Sequence, residues 1–369
     1  MNIKLVNLSR QNHQLKLKLL NVIEKTINSA NFIMGQKLLD FEKNFARYCD
    51  KKYAIGLNSG TDAIKLALMS YGVGRGDEVI TVPNGYFSTA MVISELEARP
   101  VFVDVDPETL LMDVGSVGKV ISKKTRAIIP VHLFGQPVDM DSILKLANKY
   151  NLIVIEDACQ AHGALYKDKK IPFGETGAFS FYPGKNLGCF GDGGVLVTDN
   201  PEVYKKVLYL RNDGSIKKNI HRAFGLKSRL DTLQAAILNI KLPYLDNWNS
   251  RRREHAQKYT KLLSETKEIQ LPKELPDRKH VYHLYVIQYQ RREELKKYLQ
   301  RMGIETGIHY PIPIHLQKAY DKENYQEGDF PVSEAKSKII LSLPMFPELT
   351  DEEILYITEK IKRFIATNH

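Results

Sequence analysis

Cysteine is scarce in this chain: 369 residues hold three, Cys49, Cys159 and Cys189. An odd number with no pair at metal-ligand spacing excludes a disulfide scaffold and a zinc site as organising devices. Reduced, packed thiols are expected, although Cys159 and Cys189 fall inside the two densest motifs. Also missing is any uncharged run near the ~20 residues a membrane-spanning helix needs. No internal repeat, heptad pattern or low-complexity tract is present. The N-terminus, "MNIKLVNLSRQNHQLKLKLL", mixes charge into its apolar positions and lacks the apolar block and small-residue cleavage site of a signal peptide. A soluble, cytoplasmic protein without a membrane partner is expected.

Charge of one sign, by contrast, is in excess. The formal net charge is +10, but the basic residues are spread along the chain. The clusters "RRREH" (251–255) and "QRREELKK" (290–297) have the texture of solvated helix faces, which argues against nucleic-acid binding and for small anionic ligands. The length is too great for one small core and fits two domains.

Strand-like and helix-like runs alternate through the first two thirds. Apolar segments at 53–57, 78–82, 100–105, 126–131, 152–157, 178–181 and 193–197 are separated by helical patterns such as "TDAIKLALMSYG" and "DMDSILKLANKYN". Such alternation predicts an α/β fold, a mainly parallel seven-stranded sheet between helices. From about 228 to 263 a long helical pattern runs with Pro243 as a kink or boundary. Beyond Pro272 the texture changes to an alternating strand (283–289), a helix ending at Gly303, a strand over "IETGIHYP" and a capped helix starting at Thr350. The expected domains are therefore a large one over 1–245, with an N-terminal helix that packs across domains, and a smaller α+β one over 246–369.

In parallel sheets chemistry collects beyond the carboxyl ends of the strands, and four features gather there. "NSGTDA" (58–63) ends a strand and opens a helix, either as a phosphate cradle or as an ordinary N-cap by Ser59 or Thr61. "VIEDACQAHGA" leaves Asp157 just past a buried strand, where a carboxylate needs a cation or several donors; a protonated pyridine nitrogen would serve, as would the donors of a following turn. Lys185, in "SFYPGKNLGCFGDGG", stands alone among glycines between two apolar runs, the setting in which burial lowers a lysine pKa and makes the amine nucleophilic. Tyr86, in "VPNGYFSTA", sits where an aromatic face would stack on a planar ring or fill the core. Cradle, carboxylate, lysine and aromatic together describe a site for pyridoxal phosphate; no metal is implied.

On these motifs, together with "GDEVITVP", "PVFVDVDPET", "VHLFGQPVDMD" and "SRLDTLQAAIL", the chain resembles the nucleotide-sugar aminotransferases of the DegT/DnrJ/EryC1/StrS family. These are fold-type I pyridoxal phosphate enzymes, and the likeness extends from about residue 3 to the C-terminal helix. The resemblance implies that Lys185 anchors the cofactor covalently and then moves the proton, passing through a pyridoxamine phosphate form. Asp157 would keep the pyridine nitrogen protonated and Gln160 would bind the ring hydroxyl. Gly60, Thr61 and Ser180 would hold the phosphate, and Tyr86 would cover a ring face. It also implies a homodimer with shared active sites and L-glutamate as amino donor. One departure stands out: the family's "G-x-N-S-R" is "GLKSR" here, so Lys227 replaces the asparagine that reaches the neighbouring subunit's phosphate, a point charge in place of a neutral amide. Arg229 is a candidate for the donor carboxylate.

Finer likeness in "SFYPGKNLG", "VPNGYFSTA" and "GIHYPIPIHLQ" is to the members that aminate the third carbon of a keto-deoxy sugar on thymidine diphosphate, with His309, Tyr310 and His315 near the sugar or diphosphate. A 4-keto or UDP-linked acceptor is the nearest alternative. Related dehydratases carry histidine where this chain has Lys185, and a non-catalytic regulator would be expected to have lost Lys185 or Asp157.

Overall fold

The computed structural model describes residues 1–321 and 323–367. All seven apolar runs form strands: β1 (Tyr53–Leu57), β2 (Glu78–Thr81), β3 (Arg99–Phe102), β4 (Thr125–Ile128), β5 (Ile153–Asp157), β6 (Thr176–Ser180) and β7 (Gly194–Thr198). They join in one sheet in the order β1-β7-β6-β5-β4-β2-β3. Only β7 runs antiparallel to its neighbours. The fold class is thus the expected one. Strand β4 is shorter than its apolar run because Pro130 has no N–H to give to a ladder.

Twelve helices accompany the sheet among the described residues: α1 (Leu8–Ser29), α2 (Gln36–Tyr48), α3 (Gly60–Ser70), α4 (Phe87–Glu95), α5 (Val114–Val120), α6 (Met140–Tyr150), α7 (Pro201–Leu210), α8 (Thr232–Lys241), α9 (Leu245–Leu263), α10 (Arg292–Arg301), α11 (Pro331–Ser337) and α12 (Asp351–Ala366). Two apolar clusters cover the two sheet faces, one built with α3, α4 and α7, the other with α2, α5, α6 and α8. In the second, Phe45 of α2 meets Phe179 and Phe181 edge to face, at 5.2 and 5.3 Å between ring centroids, a favourable aromatic geometry. Pro243 sits in a 3₁₀ turn between α8 and α9, as its missing N–H requires.

A third cluster belongs to the C-terminal part. It gathers α9, α10 and α12 around the antiparallel pair β8 (Tyr285–Gln288) and β9 (Ile340–Leu343). Helix α12 opens with a reciprocal capping box between Thr350 and Glu353, satisfying two of the backbone donors a helix start leaves open. The segment "IETGIHYP" differs from the expected strand: its backbone pairing consists of isolated bridges from Ile304 to Ile3 and from Gly307 to Ser342. Helix α1 packs on α8, and its Arg10 makes a two-pronged ion pair with Glu353 of α12. No helix among the described residues is long and apolar enough to cross a membrane.

Candidate active site

The carboxyl ends of β5 and β6 and the start of α3 open into a cleft of about 500 Å³. It is lined by Gly60, Thr61, Tyr86, Asp157, Gln160, Ser180, Lys185, His309 and Tyr310. Nine of the twelve site residues expected from sequence therefore face one cavity.

Each is placed by a local cause. Asp157 ends β5, where Pro130 O accepts from its N–H at 2.9 Å. Its carboxylate accepts from the Thr89 hydroxyl at 2.7 Å and from the Cys159 N–H at 3.1 Å. The residue is only 5% exposed, so these two donors offset part of the cost of burying its polar oxygens. Gln160 accepts from the Phe134 N–H at 2.7 Å and donates to the Tyr310 hydroxyl at 3.2 Å. The Tyr310 and Tyr86 rings lie 5.7 Å apart, tilted by 47°, and Tyr86 is exposed enough to receive a flat ligand.

The start of α3 lies at the cleft, where a phosphate cradle is one of the two expectations. A Cβ on Gly60 would lie 2.6 Å from Cys159 Sγ and 2.9 Å from Ser180 Cβ, so only glycine lets helix and strands come together there. Gly194 is equally constrained, since its Cβ would meet the Ser59 carbonyl carbon at 2.2 Å. Ser59 caps the helix by accepting from the Asp62 N–H. The N-cap reading holds, and the cap leaves Gly60 and Thr61 lining the cleft.

Lys185 follows a tight turn closed by its own N–H to Tyr182 O at 2.9 Å. Burial lowers the pKa of its amine, partly offset by Cys159 and Asp157. Around it, burial also keeps His162 low at about 3, His309 at about 4, and His283 well below its ordinary value. The loop carrying Lys185 is braced from below, where the buried Lys241 ammonium donates to Gly188 O at 2.5 Å.

Three expected residues lie away from this chain's own cleft. Lys227 is largely exposed and 4.0 Å from Asp213. Arg229 donates to Asn212 at 3.0 Å. His315 is buried in a 3₁₀ turn, donates to or accepts from Glu334 at 3.0 Å, and packs on Phe330 with 4.7 Å between centroids. Conversely, Leu5, Val6, Thr89, Asp192 and His283 line the cleft without having been singled out. Thr89 carried a readable signal: it lies three residues after Tyr86, on the turn of helix facing the same way.

Comparison with known proteins shows the family. A model of the DegT/DnrJ/EryC1/StrS aminotransferase family matches residues 14–362. A Geobacillus stearothermophilus protein named a pleiotropic regulatory protein is 44% identical over 367 residues, covering 99% of both chains. The dTDP-3-amino-3,6-dideoxy-alpha-D-galactopyranose transaminase of Aneurinibacillus thermoaerophilus is 43% identical, covering 98% of this chain and 99% of its own. The crystal structure of S. venezuelae DesV in complex with a ketimine intermediate superposes with a TM-score of 0.97 at 41% identity, covering 99% of this chain and 98% of that one.

Proposed function

The chain belongs to the DegT/DnrJ/EryC1/StrS aminotransferase family, and from that premise we propose that it transfers the amino group of L-glutamate, through pyridoxal phosphate, to the third carbon of a 3-keto-6-deoxyhexose carried on thymidine diphosphate. The observation that carries this reading is the meeting of Lys185, Asp157, the Gly60–Thr61 helix start and Ser180 in one cavity. The residues fit the cofactor: a glycine-kept anion site at one end, a doubly supported carboxylate at the other and a depressed lysine amine between them.

Bound there, pyridoxal phosphate supplies an electrophilic carbon and an electron sink for the substrate's bonding electrons. Asp157, held by Thr89 and Cys159, would be the partner of the ring nitrogen. Gln160, with one amide hydrogen given to Tyr310, has a second for the ring hydroxyl. The Lys185 amine, its pKa lowered by burial, would hold the cofactor at its carbonyl carbon with loss of water and, once released, would be the base for the proton on the substrate carbon. His309 and Tyr310, on the wall facing Lys185, are placed to meet the sugar.

A homodimer with shared sites completes the charge. Among the described residues lining the cleft, Lys185 is the one lysine or arginine, yet cofactor, donor and acceptor are all anionic. The hairpin Ser215–Lys217 with Ile220–His221, flanked by Lys218, Arg222 and Lys227, projects Phe224 at 98% exposure. We assign this basic, apolar-tipped arm to the neighbouring subunit's cleft, with Lys227 meeting a phosphate.

Turnover tests the reading. Purified protein loaded with pyridoxal phosphate is expected to aminate the thymidine-diphosphate C3-keto sugar with glutamate; activity confined to C4-keto or UDP-linked acceptors would move the substrate, and no turnover with any keto sugar nucleotide would favour the regulatory role that the Geobacillus relative's name suggests. A second expected result concerns Asp157. Thr89→Val removes one of its two donors while keeping shape, so cofactor affinity should fall roughly 10–100-fold, on the scale of the 1.5–3 kcal/mol of a hydrogen bond to a charged group. Equilibrium titration of the apo-protein with pyridoxal phosphate would measure it, and unchanged affinity would sink the assigned role of Thr89.

A further inference from the structure

Asp157 and Lys185 stand on separate segments, the turn that leaves β5 and the loop that leaves β6. A pair of buried amides, Asn186 and Asn249, joins the two from behind. Asn249, on α9, donates through Nδ2 to the His162 carbonyl at 2.8 Å, five positions beyond Asp157. Its Oδ1 accepts from Asn186 Nδ2 at 2.8 Å, and the same Nδ2 donates to the Val281 carbonyl at 3.0 Å. A carbonyl only accepts, so the backbone oxygens at the two ends fix both amides, and neither turns over without setting oxygen against oxygen. Each end of this bridge is tied closely to a site residue. Asn186 directly follows Lys185, whose N–H closes on Tyr182 O at 2.9 Å. The stretch from Asp157 to His162 is compact, with the Cys159 N–H on the Asp157 carboxylate and the Ala161 N–H on Ala158 O at 2.9 Å. The approach of Asn249 depends on Gly163, where φ is +79° and a Cβ would lie 2.9 Å from Asn249 Nδ2 and 2.3 Å from Tyr48 Oη. Tyr48 in turn donates to Asp246 Oδ1 at 2.5 Å, one turn before Asn249, so α9 is seated there by a bond of its own.

We propose that Asn249 is a positioning residue: through Asn186 and the His162 carbonyl it sets the Lys185 loop against the Asp157 turn, and with that the reach of the amine relative to the carboxylate. The need arises from a rigid ligand. In a pyridine ring the nitrogen and the carbon that bears the carbonyl group are held at one separation, which carboxylate and lysine have to match together. Apolar packing lets one loop slide past another, whereas a hydrogen bond weakens steeply away from its preferred distance and angle. Two buried amides gain little stability over an apolar pair of the same shape. Direction is what they add.

The inference rests on the proposed role of Lys185 in holding pyridoxal phosphate, and two ligands separate the one from the other. Pyridoxal phosphate is captured by the amine at its carbonyl carbon, with loss of water. Pyridoxamine phosphate carries an amine at that carbon and forms no bond to lysine. In equilibrium titrations of apo-protein, Asn249→Leu should weaken affinity for pyridoxal phosphate about 10–100-fold, the scale of a misplaced reactant, and change affinity for pyridoxamine phosphate by less than about twofold. A merely structural role would weaken both alike. Equal losses, or no loss with either ligand, overturn the proposal and leave the role of Lys185 standing. Asn186→Ala should reproduce the selective loss, and it serves if the leucine variant fails to fold. The double variant should lose no more than the larger single loss, because both amides belong to one bridge; additive losses overturn the proposal. A native protein that shows no yellow band with pyridoxal phosphate overturns the parent assignment, and this one with it.

Discussion

Lys185→Ala is expected to abolish transamination, lowering the glutamate half-reaction by at least about a thousandfold. Two contributions vanish together: the nucleophile that anchors the cofactor and the base that moves the proton, the second alone accounting for roughly 10²–10⁴ in rate. Because the neighbouring Asn186 and the Gly188 carbonyl are held independently, by Asn249, Val281 and Lys241, the loop should keep its shape. The native protein with pyridoxal phosphate should show a yellow absorbance band that L-glutamate bleaches; the variant should show neither the band nor the response. The depressed amine adds a pH signature. Its reactive form is neutral, so capture of the cofactor should already be fast below the pH at which an ordinary lysine reacts, and should slow as pH falls through the lowered pKa. A variant that retained turnover would displace Lys185 from the centre of the reaction.

The largest effect on stability is expected at Arg211, which is 1% exposed. Its guanidinium pairs with the buried Glu42 of α2 and donates to Gly56 O of β1 at 2.9 Å, while the Gly56 N–H donates to Glu42 at 2.8 Å. These three contacts tie α2, β1 and the end of α7 together. Arg211→Met leaves the Glu42 carboxylate buried with a single donor, and breaking a buried pair this way costs about 3–5 kcal/mol. The unfolding midpoint in urea should drop accordingly. Glu42→Gln in the same chain removes the orphaned charge and keeps an acceptor for Gly56, so the double variant should recover a large part. Equal loss in single and double variants would mean that packing volume, not charge, governs the site.

The strands were legible because each is a short apolar run bounded by breakers, a signal that lies within a few residues. Pro130 and Pro243 marked boundaries for an equally local reason. The segment 304–310 was not, since its hydrogen bonds go to Ile3 and Ser342, far along the chain. At the site, motif residues were visible as types in context: a lysine among glycines, a carboxylate after a strand. His315 shared that appearance, yet the 3₁₀ turn at Ile314–Leu316 buries it against Phe330 and Glu334. What no pattern announced was the support. Asn186 reaches partners 63 and 95 positions away, and such contacts leave no periodicity in either segment.

The N-terminal residues carry one more consequence, for the order of assembly. Ile3 pairs with Ile304, Lys4 bonds Glu305 across 301 positions, and Leu5 O accepts from Met345, while Leu5 and Val6 form part of the cleft wall. This segment therefore waits for the last third of the residues before it can dock, a closure of very long range that comes late and slowly. A nascent chain ending near residue 245 would already own Lys185, Asp157 and the start of α3, but it would lack the Val281 carbonyl that holds Asn186 and the Met345 N–H that holds Leu5. Competence to hold the cofactor and competence to turn it over are thus expected to arrive at different moments of folding.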